Sequence, residues 1–487
     1  MRLSTLIEAD QGTANAEILG LSADSRQIRP GFLFAALTGS KTDGAKYIAQ
    51  AISQGAVAIL TDAESLPPAV NLNSVTRLTD PNPRRRFARL AARFYGKQPK
   101  YIAAVTGTNG KTSVASFARQ IWEEFGLKAG SIGTLGVASP AYNEKPTLTT
   151  PDPVALHHAL KEMAVAGVDH VAMEASSHGL SQYRLDGVRV MAAAFTNLTR
   201  DHMDYHGSEE AYFYAKARLF GEVMIPGGTA VLNRDEPCYP ELENICWARG
   251  HRILSVGTRG GDIRLVTSEA TAAGQHLTVD YKQQTYDINL PLAGGFQALN
   301  ALTAAGLVIG CGGDAAQAFK ALEKLKPVPG RLEKVTTLEN GATLFVDYAH
   351  TPDALATILR ALRPHAAHEL HVVFGCGGDR DRGKRPLMGE IAARLTDKVY
   401  VTDDNPRSED AATIRREVLA GCPEASEIGD RRLAIRTAMA ALQAGDVLVV
   451  AGKGHEAGQI IGSEVHPFND VDEVKAAAKA QNTGDHK

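Results

Sequence analysis

Short apolar runs that end in polar, glycine-bearing loops recur along this chain. Tyr101-Ile102-Ala103-Ala104-Val105 reads as a buried strand, and Val114, Phe117, Ala118, Ile121, Trp122 and Phe125 follow at helical spacing until Gly126. Residues 168–173 and 190–195 repeat the strand pattern, and so do 344–346, 371–374, 399–402 and 447–450. Nearer the start, Pro30-Gly31 precedes the apolar run 32–37. Residues 48–56 then read as a helix stopped by Gly55, and 57–60 as another strand. The pattern changes only between 262 and 292. There Ile263, Leu265, Leu277, Val279, Tyr281, Tyr286, Ile288 and Leu290 alternate with polar neighbours, which is antiparallel patterning. Phe296-Gln297-Ala298-Leu299-Asn300 then opens an alanine-rich helix.

At 487 residues the chain is too long for one domain. Gly96-Lys97-Gln98-Pro99 and the segment 326–331, with its Pro-Val-Pro-Gly, read as linkers. They divide the chain into 1–98, 99–330 and 331–487. The expected class is α/β in three domains. The central one has a P-loop-type parallel sheet with helices plus a small antiparallel sheet, and the C-terminal one is a second, Rossmann-like open sheet. The 327–330 segment is also a natural hinge. Arg84, Arg85, Arg86, Arg89 and Arg93 interleave with the helically spaced Phe87, Leu90, Ala91 and Phe94, so a solvated face is expected there.

A formal charge of −3 argues against a general nucleic-acid binder. Five scattered cysteines with no close metal-type pairing read as reduced thiols of a cytoplasmic protein. The N-terminus has no signal-peptide core, and no apolar run is long enough for a membrane segment.

The chemistry gathers at the strand ends. Gly107-Thr108-Asn109-Gly110-Lys111-Thr112-Ser113 stands between a strand and a helix, where backbone N–H groups and a helix N-terminus converge on one point. Lys111 would add a cation for the β/γ-phosphates and Thr112 a hydroxyl for Mg²⁺. The general phosphate-loop pattern wants glycine six residues before the lysine, and Val105 is there instead. An ordinary glycine turn is the alternative. Two more strands end in Glu174-Ala175-Ser176-Ser177-His178-Gly179 and in the polar segment 197–207 with His202. A carboxylate and a histidine beside a phosphate loop suggest a metal–phosphate site, although Glu174 also suits a turn cap. In the last segment the strands lead to Asp347-Tyr348-Ala349-His350-Thr351-Pro352, to Gly375-Cys376-Gly377-Gly378, to Asp403-Asp404-Asn405-Pro406-Arg407 and to Gly452-Lys453-Gly454-His455-Glu456. The glycines at 375, 377 and 378 lack dinucleotide-fingerprint spacing. From the residues alone, the chain reads as a cytoplasmic ATP-using enzyme.

Gly-Thr-Asn-Gly-Lys-Thr at 107–112, Glu174-x-Ser176-Ser177-His178, the Asp347–Pro352 motif and Gly452-Lys453-Gly454-His455-Glu456 together resemble the Mur ligase family across essentially the whole chain. Asp404-Asn405-Pro406-Arg407 resembles the branch that adds meso-diaminopimelate to UDP-N-acetylmuramoyl-L-alanyl-D-glutamate. The resemblance implies ATP and Mg²⁺, an acyl-phosphate intermediate, a role in cell-wall synthesis and a monomer. It implies ATP contacts at 107–113, Asn300, Arg331 and Asp347. It implies one Mg²⁺ held by Thr112 and Glu174, a second with His202 as a ligand, and a carbamylated Lys216 as an anionic oxygen ligand, a residue that periodicity alone leaves on a helix surface. Ser25, Thr149, Thr150, Ser176, Gln182 and Arg184 resemble contacts to the UDP-dipeptide. Arg380, Asp404, Asn405, Pro406, Arg407, Gly452 and Glu456 resemble the amino-acid site. The family often has Asn where Gln297 stands. A lysine-adding ligase of the same branch, a folylpolyglutamate synthase-like ligase and a non-catalytic nucleotide switch are the alternatives. Arg407 bears on the first, the Asp24-Ser25-Arg26 segment on the second, and convergence of Glu174, His202 and Lys216 on the third.

Overall fold

The computed structural model describes residues 1–7, 16–39, 42–62, 75–145, 148–271 and 274–483. Three sheets of four or more strands follow one another along the chain. The first has four parallel strands, in the order Gly20–Ser22, Phe32–Ala35, Ala58–Thr61 and Thr76–Thr79. The second has ten strands and the third six, and both are mainly parallel.

The helix Pro83–Tyr95 links the first sheet to the second. Proline at its start fits a position with no N–H to satisfy. Asn82 caps it by accepting from Arg85 N at 3.0 Å, and Gly96 ends it at φ +73. Phe87, Leu90 and Ala91 are buried, as their spacing predicts. The arginines are not a free solvated face: only Arg89 is exposed. Arg85 Nε donates to buried Asp186 at 2.8 Å, Arg86 to Ile7 O at 3.2 Å and Arg93 to Leu6 O at 3.2 Å. The polar face of this helix is thus covered by other parts of the chain, which periodicity cannot show. Gln98 ties the following segment down: its amide donates to Gly187 O and accepts from Arg189 N.

In the second sheet the strand Tyr101–Thr106 lies between Val190–Phe195 and His170–Glu174, all three parallel. Its side chains alternate between two cores. Ala103 and Val105 join Phe117, Trp122, Leu302 and Leu307 on one face, while Ile102 and Ala104 join Leu160, Met163, Phe195 and Phe220 on the other. Burial on both faces explains why these strands read as continuous apolar runs. The antiparallel strands Ile263–Thr271, Gly274–Tyr281 and Gln284–Leu290 are as expected, and they continue the central sheet. A short parallel pairing, Val256 with Ile263 and Gly257 with Arg264, joins them to it.

The third sheet runs Glu333–Thr337, Thr343–Asp347, Val447–Ala451, Leu370–Phe374, Lys398–Val401, Ser426–Glu427, with only the first strand antiparallel. It too is covered on both faces. The C-terminal helix Asp470–Thr483 docks through an ion pair: Arg431 Nε and Nη2 each reach the Asp470 carboxylate at 2.8 Å, with both side chains fully buried.

Arg431→Ala leaves the Asp470 carboxylate buried without its partner. Breaking a buried pair in this way costs about 3–5 kcal/mol. Urea unfolding of this variant is expected to show a midpoint well below that of the parent chain.

Candidate active site

In open α/β sheets, ligands bind beyond the carboxyl ends of the strands. Here the ends of both large sheets face one cavity of about 440 Å³.

The loop after Thr106 needs its two glycines. Gly107 has φ +140, and a Cβ there would lie 1.9 Å from Thr196 Oγ1. Gly110 has φ +87, and a Cβ there would lie 2.4 Å from Asn300 Oδ1. The neighbouring strand end fixes the loop: Thr108 N donates to Asn197 O, Asn109 N to Asn197 Oδ1, and Thr196 Oγ1 to Asn109 O at 2.6 Å. Lys111 opens the helix Lys111–Glu124 and folds back to donate to Gly107 O at 2.9 Å and Thr108 O at 2.7 Å. Loss of hydration lowers its pKa.

Lys216 approaches from the helix Glu209–Arg218. The structure buries it at 1% exposure, with Nζ 2.7 Å from Gly107 O and 4.2 Å from the Tyr212 ring centre. Loss of hydration, reinforced by the Lys111 charge, pushes its pKa well below the usual lysine range. Among the described residues Lys216 has no acidic partner within ion-pair distance.

Glu174 is buried at the end of its strand. It accepts from Thr134 N at 2.8 Å and Thr134 Oγ1 at 3.1 Å, and Gly133 leaves room for it. It therefore anchors a turn and lines the cavity at once. The cap of the next short helix is Ser176, which accepts from Gly179 N. His202 has a left-handed backbone, φ +55, and its Nε2 is 3.5 Å from Asp201.

The third sheet closes the cavity with Asp347, Tyr348, Ala349, His350 and the start of the helix Pro352–Leu362. Arg331, just after the linker, donates to Thr112 Oγ1 at 3.3 Å and lies 4.3 Å over the Tyr348 ring. The Asp347 carboxylate accepts from Leu332 N at 2.5 Å and Ala349 N at 2.7 Å, and burial pushes its pKa up to about 6. Gln297 accepts from Asn300 Nδ2 at 2.9 Å and donates to Arg331 O at 3.2 Å. Its length lets it hold both Asn300 and the linker.

The cavity gathers Thr108 through Ser113, Thr149, Glu174, Ser176, His202, Lys216, Asn300, Arg331 and Asp347. Gly107 stands behind it as the acceptor for both lysines. Thr150, Gln182 and Arg184 form an adjoining cluster. Thr150 Oγ1 bonds Glu174 O and Ser176, while Arg184 bonds Thr150 O and Gln182 Oε1. Ser25 lies apart in the first unit, donating to Gln50 Oε1 at 3.1 Å. The residues expected at the amino-acid site lie together on the third sheet, outside the cavity lining. Asn405 Nδ2 donates to Glu456 at 2.9 Å, and Asp404 is buried. Gly452 N donates to Asp347 O. Arg407, at φ +53, donates to Gly378 O at 2.7 Å. Gly378 is required because a Cβ would overlap Pro406 O, so these glycines bring two loops together. Arg380 is exposed, bonded to Asp379 O.

Sequence reasoning missed Thr134, Tyr348 and Lys453 as functional-site residues. The last two lie inside quoted motifs, but nothing in the sequence reveals Arg331 on the Tyr348 ring or the complete burial of Lys453.

A glycine loop opening a helix, two lysine amines at its carbonyls and a second sheet facing it define a phosphate-loop α/β enzyme assembled from several units. Three family models match in succession: "Mur ligase family, catalytic domain" over 17–95, "Mur ligase middle domain" over 105–308 and "Mur ligase, glutamate ligase domain" over 330–454. The chain belongs to the Mur ligase family. It is 54% identical to a UDP-N-acetylmuramoyl-L-alanyl-D-glutamate–2,6-diaminopimelate ligase of Bradyrhizobium diazoefficiens, covering 98% of this chain and 99% of the relative. It is 53% identical to the enzyme of the same name in Mesorhizobium japonicum, covering 96% and 97%. A solved structure with that name superimposes with TM-score 0.72 at 33% identity, covering 99% of both chains.

Gly110→Ala would force a side chain into a left-handed backbone and against Asn300. The expected result is a folded protein, judged by circular dichroism, with nucleotide affinity lowered at least tenfold, because loop amides aimed at phosphate lose their alignment. Titration calorimetry with ADP checks it.

Proposed function

We propose that the chain is an ADP-forming ligase that joins meso-diaminopimelate to the D-glutamyl carboxylate of UDP-N-acetylmuramoyl-L-alanyl-D-glutamate, in cell-wall precursor synthesis. The observation that carries this reading is the facing of the phosphate loop and the third sheet's strand ends across one cavity, in a chain more than half identical end to end to relatives bearing that name. Those relatives are named for diaminopimelate, and no observation favours lysine.

On this reading residues 1–98 hold the uridine end near Ser25, 99–330 hold ATP, and 331–487 hold the amino acid. The loop amides and Lys111 hold the phosphates, with Asn300, Arg331 and Asp347 closing on the nucleotide. Thr149, Thr150, Ser176, Gln182 and Arg184 orient the dipeptide so that its carboxylate faces the γ-phosphate. Attack there releases ADP and gives an acyl phosphate. The amine of diaminopimelate then attacks the acyl carbon, and phosphate leaves from the tetrahedral intermediate as the amine loses a proton. Positioning and electrostatic stabilisation carry such transfers.

The donor set fits a divalent cation once Lys216 is carbamylated. Burial lowers the pKa of the Lys216 amine and favours attack on CO₂; the N–C bond would form with release of a proton, and the product would be an anionic oxygen ligand where an ammonium would repel the ion. Thr112 and Glu174 would hold one Mg²⁺ and His202 a second, with that carbamate as a further oxygen ligand, and the ions would supply charge neutralisation at the phosphates. No helix of the described residues is long and apolar enough to cross a membrane.

Lys216→Ala is expected to be nearly inactive, and millimolar short-chain carboxylate should restore part of the turnover by supplying the missing oxygen. Coupled ADP-release kinetics with and without acetate measure this. Full activity without acetate removes the carbamate from the mechanism.

Diaminopimelate differs from lysine by a second carboxylate, and Arg407 offers a planar fork for it. Arg407 is half-buried, so losing that charged hydrogen bond should cost about 1.5–3 kcal/mol. Arg407→Ala is therefore expected to lower kcat/KM for diaminopimelate roughly ten- to a hundredfold while gaining little with lysine. Equal use of both amino acids by the parent chain would overturn the substrate assignment.

A further inference from the structure

One cation at the amino-acid end has no part in the chemistry described so far. Lys453 is fully buried. Its Nζ lies 2.9 Å from Asn405 Oδ1, 3.0 Å from Glu456 Oε2 and 3.4 Å from Asp404 Oδ1. An ammonium has three protons and no acceptor, so these contacts use all of it. Asn405 Nδ2 donates to the same Glu456 oxygen at 2.9 Å, which closes a ring of three side chains. The hairpin Gly458–Ile461 with Glu464–Pro467 holds this ring from outside: Ile460 N donates to Asn405 Oδ1, and Gln459 Nε2 to Asp404 O.

We infer that Lys453 is a positioning and specificity residue for the amino-acid substrate, setting both the orientation of Asn405 and the charge of the Asp404–Glu456 pair. The inference rests on the reading of Asp404, Asn405 and Glu456 as amino-acid contacts. Two donors on Asn405 Oδ1 fix which way its amide points. A carboxylate has about four acceptor positions, so Lys453 leaves most of each free for a substrate ammonium. With Lys453 the three charges sum to −1, matched to one ammonium. Without it two carboxylates repel each other, and the Asn405 amide loses the side-chain donor that orients it.

The test is steady-state kinetics of the full chain with Lys453→Met and Lys453→Gln. Lys453→Met removes both charge and donors, while Lys453→Gln removes the charge but keeps two N–H donors on a side chain one atom shorter. Both should raise KM for diaminopimelate, Lys453→Met by about 30-fold or more, as expected when a buried hydrogen-bonded charge pair is cut. The KM values for ATP and the UDP-dipeptide should stay near those of the parent chain, and kcat should fall less than KM rises. If Lys453→Met does not fold, Lys453→Gln decides. In Lys453→Ala, n-propylammonium, which replaces the missing atoms, should lower KM for diaminopimelate saturably. Tetramethylammonium, which has no N–H, should not. An equal rise in all three KM values, or rescue by both cations, makes Lys453 merely structural and overturns the inference. Unchanged KM in the Lys453 variants alongside a raised KM in Glu456→Gln also overturns it while leaving the site reading intact. Unchanged KM in Glu456→Gln and Arg407→Ala as well removes the amino-acid site and the inference together.

Discussion

Two lysine amines share one backbone carbonyl. Lys111 and Lys216 both donate to Gly107 O, and much of the central unit is arranged so that they can. Lost hydration lowers the pKa of each, and the Lys111 charge lowers that of Lys216 further. On the proposed reading, a polyanionic phosphate would favour the cationic form of the first and carbamylation would make the second an anion. Thr196, Asn197 and Asn300 frame the loop rigidly around both.

The third unit solves a related problem by a different route. Its fully buried cations are paired: Arg431 with Asp470, Lys453 with Asp404 and Glu456, and Arg385 with Glu409 and Glu417. Arg385 also donates to Gly377 O, beside the Gly378 carbonyl that receives Arg407. The loops at these strand ends are thus cross-braced by ionic contacts, whereas backbone and neutral side-chain hydrogen bonds frame the phosphate loop. Braced loops hold a left-handed residue such as Arg407 in place at a cost the network offsets.

The alternation of apolar runs and polar loops made the three sheets legible, because both faces of each large sheet are covered and the strands must be apolar throughout. The antiparallel trio was equally plain, since its two-residue alternation has no other use. Periodicity could not show what covers a polar face. The arginines of Pro83–Tyr95 looked solvated because the contacts to Asp186, Ile7 and Leu6 come from distant chain segments. Lys216 looked like a surface residue for the same reason. The strand ends at the phosphate loop, Glu174 and Asp347 line one cavity, while those at 403–407 and 452–456 lie outside its lining. The distance between that cavity and the cluster around Asp404 and Arg407 depends on how the sheets are set against each other, and no local pattern encodes it.

The linker between the second and third sheets is short and held along its length. Gln120, on the phosphate-loop helix, both donates to and accepts from the Lys326 backbone, and Arg331 reaches Thr112. Gly330, at φ +64, lies so close to Gly454 and His455 that a Cβ would overlap their backbone. The Gly452–Glu456 loop therefore lies against the tether itself. A tether this short and this well held limits how far the strand ends of the third sheet can move from the phosphate loop. On the proposed reading, an amine held by the third unit would reach the acyl phosphate from within the same molecule, without a second diffusional encounter.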